Sequence, residues 1–246
     1  MTDTVLTHEN NGVLTLTINR PERRNALDVA TYLALADHIR AANASKDYRA
    51  IVITGASNYF TAGNDLKDFQ KPRTTGDSGG IILLRSLIDC DLPIIAAVEG
   101  RAIGIGVTML QHCDFICAAD NALFTIPFVA LGLCPEGASS VLLAQIVGAR
   151  RASDWLLRGK TFGAQEALDA GFITQVTNAG QALAIAQALG DELAALPPQA
   201  LQLSKRMMKH TQRPMLHETL NYEFGLFSER LQSEEAQAAV AKLLKK

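Results

Sequence analysis

Apolar and polar residues alternate most regularly in Val13-Leu14-Thr15-Leu16-Thr17-Ile18-Asn19, and this period of two predicts a β-strand. Arg49 to Gly55 (RAIVITG) and Pro93 to Val98 (PIIAAV) are short, nearly unbroken apolar runs. Such β-rich runs fit strands covered on both faces. Between them the spacing turns helical: Asp28 is placed to cap a helix running to about Asn43, and Ile81 to Ile88 carries a second apolar helical pattern. Further on, short helices are predicted over Arg150–Gly159 and Gly163–Gly171, with Gly171 as a C-cap, and a last strand over Phe172–Val176. Four longer helical patterns follow near Ala182–Leu196, Gln199–His210, Met215–Leu231 and Glu234–Leu244, separated by Pro197-Pro198 and Pro214. The expected fold is α/β with a helical C-terminal part.

The polar breaks carry the candidate chemistry. Asn19 to Leu27 (NRPERRNAL) reads as a basic loop with a rigid proline, and Lys71 to Gly80 (KPRTTGDSGG) as a mobile loop. The stretch from Val98 to Ser140 organises the chain. It opens on the predicted strand, continues through Gly100, Gly104 and Gly106, and enters an apolar helical pattern. A strand, a glycine-rich turn and a helix start offer unpaired N–H groups to an anion or oxyanion. The glycines do not form a dinucleotide fingerprint, because Met109 stands where a further glycine is needed, and no Gly-Lys-Ser/Thr follows to make a phosphate loop. Pro135-Glu136-Gly137 then sets one carboxylate among apolar residues.

Composition narrows the class. The 246 residues are 48% hydrophobic and 20% charged, as in one large globular domain, and the net charge of −2 predicts no general attraction to nucleic acid or an anionic membrane. The start, MTDTVLTHEN, lacks a basic and an apolar region of a signal peptide, and the end, Leu-Leu-Lys-Lys, is not a peroxisomal address. The apolar region Leu92–Leu110 is interrupted by Glu99 and Arg101, unlike a membrane span. Cys90, Cys113, Cys117 and Cys134 show neither zinc nor redox spacing and are expected to be small buried hydrophobes in a reducing, cytoplasmic setting.

Glu99-Gly100-Arg101-Ala102-Ile103-Gly104-Ile105-Gly106 resembles the glycine-rich signature of the crotonase superfamily, the enoyl-CoA hydratase/isomerase enzymes, and Phe60-Thr61-Ala62-Gly63-Asn64-Asp65-Leu66 resembles the family's other signature. The resemblance runs from about Val5 to the last helical pattern. It implies a spiral of ββα units over residues 1–196, with a C-terminal helical trimerisation region, residues 197–246, in the same structural unit. It implies an acyl-CoA thioester as partner, a homotrimer or dimer of trimers, and no metal or redox cofactor, coenzyme A arriving with the substrate. It also places the oxyanion donors on the backbone N–H groups of Ala62 and Ile105. Arg24, Ala26, Gly63, Asp65, Leu66, Lys67, Gly104, Phe128 and Leu131 are the implied substrate-binding residues, with Gly63 letting a thioester lie against the backbone.

The carboxylates separate the chemistries within that resemblance. The two positions that carry glutamates in a typical hydratase of the family are Thr108 and Phe128 here. Hydration needs a positioned water and a proton donor, and neither residue provides them. Thr125-Ile126-Pro127-Phe128 with Leu131 to Ser140 resembles instead the peroxisomal-type Δ3,Δ2-enoyl-CoA isomerases, in which the glutamate of the P-E-G turn is the base; that residue is Glu136. The structural alternative for Glu136 is a carboxylate stabilised at a helix N-terminus, and for Asp65 a helix cap is preferred to an acid or base. His38, His210 and His217 read as structural, and Tyr222, Phe224 and Phe227 as packing or an interface. The expected activity is isomerisation of 3-enoyl-CoA. Hydration, thioester hydrolysis and non-catalytic acyl-CoA or protein binding remain as alternatives.

Overall fold

The computed structural model describes residues 3–68 and 78–244. Strand β2 (Val13–Ile18) forms where the two-residue alternation predicts it, and it pairs antiparallel with β1 (Val5–Asn10). The apolar runs become β3 (Ala50–Gly55), parallel to β2, and β4 (Ile94–Val98), parallel to β3, followed by β6 (Phe115–Ala119) and β9 (Gln175–Thr177), also parallel. The resulting sheet has the order β1-β2-β3-β4-β6-β9. Its parallel strands are apolar on both faces because each face is covered. One face carries the main core, and the other packs Val13, Val52, Ile95 and Cys117 against Ala182 and Ala186 of α7 (Ala182–Ala194).

A second sheet of β5 (Arg101–Ile103), β7 (Leu123–Thr125) and β8 (Phe162–Gly163) repeats the winding of the first. β4 leads directly to β5, and β6 to β7, so consecutive strands contribute one member to each sheet. Isolated bridges continue the second stack, Thr61 with Ala102 and Leu27 with Asn64. This is a ββα spiral. The aromatic rings of Phe124, Trp155, Phe162 and Phe172 pack together where it closes, with Trp155 and Phe162 stacked at 3.5 Å between centroids.

The helices follow their sequence signals with instructive departures. α1 (Val29–Ala44) starts as predicted, with Asp28 Oδ1 accepting the Thr31 N–H at 2.9 Å. α2 (Gly79–Asp89) begins before Ile81, so the end of the expected 71–80 loop is helix, while residues 69–77 lie outside the described residues. The pattern after Gly106 gives only α3 (Ile105–Thr108), which tightens into a 3₁₀ turn over Met109–His112. Pro214 does not separate two helices. It lies in the first turn of α9 (Gln212–Leu231), where a helix has no intrahelical use for the missing N–H. The expected Phe172–Val176 strand forms later, as β9, because Phe172 joins the aromatic cluster. α8 (Pro198–Lys209) and α10 (Glu234–Leu244) complete the helical end. Cys90, Cys113 and Cys117 are buried, Cys134 half-buried, and all four are free thiols. Among the described residues no helix is long and apolar enough to cross a membrane.

Candidate active site

The second stack brings two distant turns side by side. Thr61 N–H donates to Arg101 O at 3.0 Å, and Ile103 N–H donates to Thr61 O at 3.1 Å. Thr61 Oγ1 donates to Asn25 O at 2.6 Å and accepts the Gly63 N–H at 3.0 Å, fixing the turn beneath. Gly63 has φ +82°, and a Cβ there would come within 2.5 Å of Ile103 O. Its missing side chain therefore admits the neighbouring backbone. The close approach explains a glycine at Gly63 through the neighbouring backbone.

The same turn corrects the first oxyanion donor. The Ala62 N–H is already engaged, donating to Arg24 O at 3.0 Å. Two residues on, Leu27 N–H donates to Gly63 O at 2.8 Å and Asp65 N–H donates to Leu27 O at 2.9 Å. In a parallel ladder the residue between two such bonds turns its own N–H and C=O to the opposite side. That residue is Asn64, and its N–H has no acceptor among the described residues. The Ile105 N–H, at the first residue of α3, has none either. Gly104 before it has φ +56°, so the chain turns sharply there and the Ile105 N–H is left at the open end of the helix.

The two free donors lie on adjoining turns, since a Cβ on Gly63 would sit 3.9 Å from Gly104 Cα. Tyr32, buried on α1, donates its hydroxyl to Asn64 Oδ1 at 2.7 Å. A Cβ on Gly80 would sit 3.4 Å from Ile105 Cδ1 and 3.9 Å from Tyr32 Cζ, so the start of α2 meets both residues. Phe128 is buried, edge-on to Phe227 at 6.1 Å, with Cε1 3.6 Å from where a Gly104 Cβ would lie. The hydratase acid position thus holds an apolar ring beside the glycine turn.

Glu136 reaches the site from the turn before α4 (Ser139–Val147). Thr108 Oγ1 donates to Glu136 Oε1. Thr108 is three residues after Ile105, about 4.5 Å along the helix axis and on the same face. One carboxylate oxygen is therefore held a single turn from the Ile105 N–H. The other hydratase acid position has become a support for Glu136. Burial pushes the Glu136 carboxyl up to about 8; the Thr108 hydrogen bond opposes this and the charge of Glu223 adds to it.

The rest of the turn is tied equally firmly. Gly137 and Ala138 are both left-handed, at φ +74° and +60°. His112, buried, bonds Gly137 O through Nε2 at 2.9 Å; a carbonyl only accepts, so Nε2 carries the proton. Burial pulls His112 down to about 4, leaving it neutral. From α9, Glu223 accepts the Ala138 N–H at 2.6 Å and the Ser140 N–H at 2.9 Å.

The remaining sequence candidates are placed less centrally. Asp65 closes the turn that follows it, its backbone O accepting the Asp68 N–H at 2.9 Å. Its Oδ1 accepts the Lys67 N–H at 3.2 Å and its Oδ2 faces Arg20 at 3.1 Å, with Arg20 also 3.1 Å from Asp28. That ion pair engages Asp65 within the fold. Arg24 and Lys67 are exposed on the two loops that flank Ala62, Ala26 is buried, and Leu66 and Leu131 are half-buried. His217 bonds Asp89 at 2.8 Å. Asn64, Tyr32, His112 and Glu223 were absent from the candidates. Only Asn64 carried a sequence signal, standing inside the quoted signature. Glu223 lies 83 residues from Ser140.

The Thr108 contact gives a first expectation. A hydroxyl bonded to a carboxylate favours the ionised form, by roughly 1.5–3 kcal/mol or about one to two pH units. Thr108→Val keeps the shape and removes the donor, so the pH at which Glu136 ionises should rise by about that much. A pH titration of activity on acyl-CoA substrate checks it: the low-pH limb should move to higher pH, and an unmoved limb would show that Thr108 does not support Glu136.

A sequence model of the family described as enoyl-CoA hydratase/isomerase matches residues 8–246. Enoyl-CoA delta isomerase 2 of Homo sapiens is 33% identical over 98% of this chain, which spans 63% of that protein's length. The 2,3-dehydroadipyl-CoA hydratase of Escherichia coli (strain K12) is 33% identical, over 95% of this chain and 92% of its own. Among solved structures, an enoyl-CoA hydratase/isomerase from Pseudoalteromonas atlantica T6c superposes with a TM-score of 0.95 at 39% identity, covering 99% of this chain and 97% of that one.

Proposed function

We propose that this chain, which belongs to the enoyl-CoA hydratase/isomerase family, is a Δ3,Δ2-enoyl-CoA isomerase with Glu136 as its single proton shuttle. The carrying observation is one raised carboxylate, held by Thr108 a helical turn from the free Ile105 N–H, with Phe128 in place of a second acid.

In a 3-enoyl thioester the C2 proton is acidified by both the carbonyl and the alkene. Glu136 removes it, and the electron pair delocalises into a dienolate with its charge largely on the thioester oxygen. The Asn64 and Ile105 N–H groups receive that oxygen. Glu136 then returns the proton at C4, leaving the double bond between C2 and C3. One proton leaves and one arrives, so the reaction as proposed needs no metal or redox cofactor. Desolvation makes Glu136 a stronger base than an exposed carboxylate. Phe128 keeps an apolar ring where hydration would need a water.

Hydration is the second reading, because a hydratase stands among the relatives. The two are separated by incubating the protein with 3-enoyl-CoA and, separately, with 2-enoyl-CoA, and following products by chromatography and mass. Isomerisation conserves mass and hydration adds one water. The proposal expects rapid conversion of the 3-enoyl substrate and little 3-hydroxy product. Hydration outpacing isomerisation would overturn it.

A further inference from the structure

Glu223 is a buried carboxylate that the proton shuttle does not itself use. It sits on α9, 4% exposed, and reaches across to the Glu136 turn. Its Oε2 accepts the Ala138 N–H at 2.6 Å and its Oε1 the Ser140 N–H at 2.9 Å. Ala138 is a non-glycine residue at φ +60°, a conformation that costs energy unless surrounding contacts hold it. Those contacts are the Glu223 carboxylate on one side and the His112–Gly137 bond on the other. A carboxylate accepting two backbone N–H groups is favoured in its ionised form. Glu136 accepts one hydroxyl. Burial raises the Glu223 carboxyl and its bonds to the Ser140 and Ala138 N–H groups oppose that rise, while the charge of Glu223 adds to the rise at Glu136.

We propose that Glu223 is a positioning residue for the proton shuttle: its two oxygens clamp the turn that carries Glu136 and set a buried carboxylate behind it. The inference rests on Glu136 being the base. It assigns a role to a residue that touches neither substrate nor reacting atoms.

Other groups around the pair do not account for a limb near neutral pH. Tyr32 on α1 faces Glu136 and is held well above its ordinary value by burial. His112 titrates at about 4. Cys134, before the turn, senses both carboxylates and is pushed above the usual thiol value by burial. α2 meets the turn through Leu84, and its Arg85 bonds Asn221 of α9 at 2.8 Å. Arg230 of α9 donates to Gly132 O at 2.9 Å and pairs with Glu235. Thr108 does not ionise in this range.

Glu223→Gln removes the charge and turns an amide toward one of the two N–H donors. For 3-enoyl-CoA turnover, the low-pH limb of kcat should move down by roughly one pH unit, the size of a shielded like-charge interaction. That direction is opposite to the one expected of Thr108→Val. The plateau kcat should fall about tenfold as the turn loosens, with KM changing about twofold or less. A cap that served α4 alone would lower kcat and thermal stability with the limb unmoved, and that result would overturn the inference.

A second measurement does not depend on the folding of that variant or on turnover. Coupling between two ionisable groups is reciprocal. In protein labelled with ¹³C at the glutamate carboxyls, the wild-type Glu223 resonance should sense the ionisation of Glu136 as a second inflection near pH 8, and Glu136→Gln should lose that inflection. A wild-type Glu223 resonance with no such inflection would overturn the charge coupling even if Glu136→Gln abolished activity. Near-normal turnover of Glu136→Gln, with the inflection present in the wild type and lost in the variant, would instead remove Glu136 as the base while leaving the coupled pair intact.

Discussion

Replacing Glu136 by Gln is expected to lower the 3-enoyl-CoA isomerisation rate by about 10²–10⁴-fold, the usual worth of a positioned general base. The substitution keeps the size of the side chain and leaves Thr108 a carbonyl oxygen to bond. The Asn64 and Ile105 N–H groups and the loops carrying Arg24 and Lys67 are untouched, so binding of the CoA thioester should change little and the loss should fall on kcat. The wild-type rate should rise with pH through about 8, since the base works only when deprotonated and its carboxyl is raised to about that value. In the Gln variant this limb should vanish from whatever rate remains. Steady-state kinetics from pH 5 to 9 reads both effects. A folded Gln variant with near-normal turnover would end the assignment.

Much of the frame behind Glu136 was legible because it is local. A strict period of two marks β2, and nearly unbroken apolar runs mark β3 and β4. Asp28 marks the start of α1 because a cap is a contact across three residues. The short strands β5, β7 and β8 were not legible, since two or three residues are too few to show a period. They exist because the spiral stacks them, and the spiral itself was expected only from the resemblance to a family. Pro214 was misjudged as a break because its effect depends on where in a helix it falls.

The candidate site divides along the same line. The signature Phe60 to Leu66 pointed to this turn, but which N–H is free there depends on Arg24 and Leu27, which arrive from a different loop. Ala62 and Asn64 differ in their partners and not in any property readable from their own letters. Glu136 was found because it stands alone among apolar neighbours between Phe124 and Ser140. That solitude holds only along the chain: folding brings the carboxylate of Glu223 to the same turn. Thr108 shows the converse. Its lack of a carboxylate was read as the loss of a hydratase acid, and the structure adds that its hydroxyl holds the remaining acid in place.

The oxyanion donors give the second large effect. A backbone N–H can be removed only by proline, and Ile105 is a position where proline is otherwise acceptable. It is the first residue of α3, where proline's fixed φ suits a helix and the N–H has no intrahelical partner. Gly104 precedes it at φ +56°, ψ −120°, the mirror image of the extended conformation that residues before proline adopt, which glycine takes without a Cβ penalty. Ile105→Pro should therefore fold and still lower the isomerase rate by about 10²–10³-fold, the cost of one oxyanion donor. Ile105→Ala is the control. It loses the same contact with the start of α2 but keeps the N–H, so its turnover should stay within roughly tenfold of the wild type. Ala62→Pro would be a poorer test, because it breaks the Ala62–Arg24 hydrogen bond and acts through the turn itself. Circular dichroism establishes that both Ile105 variants are folded, and single-turnover kinetics on a 3-enoyl-CoA compares their chemical steps. If the proline and alanine variants turn over at similar rates, the Ile105 N–H does not hold the developing oxyanion, and the thioester oxygen lies elsewhere in the site.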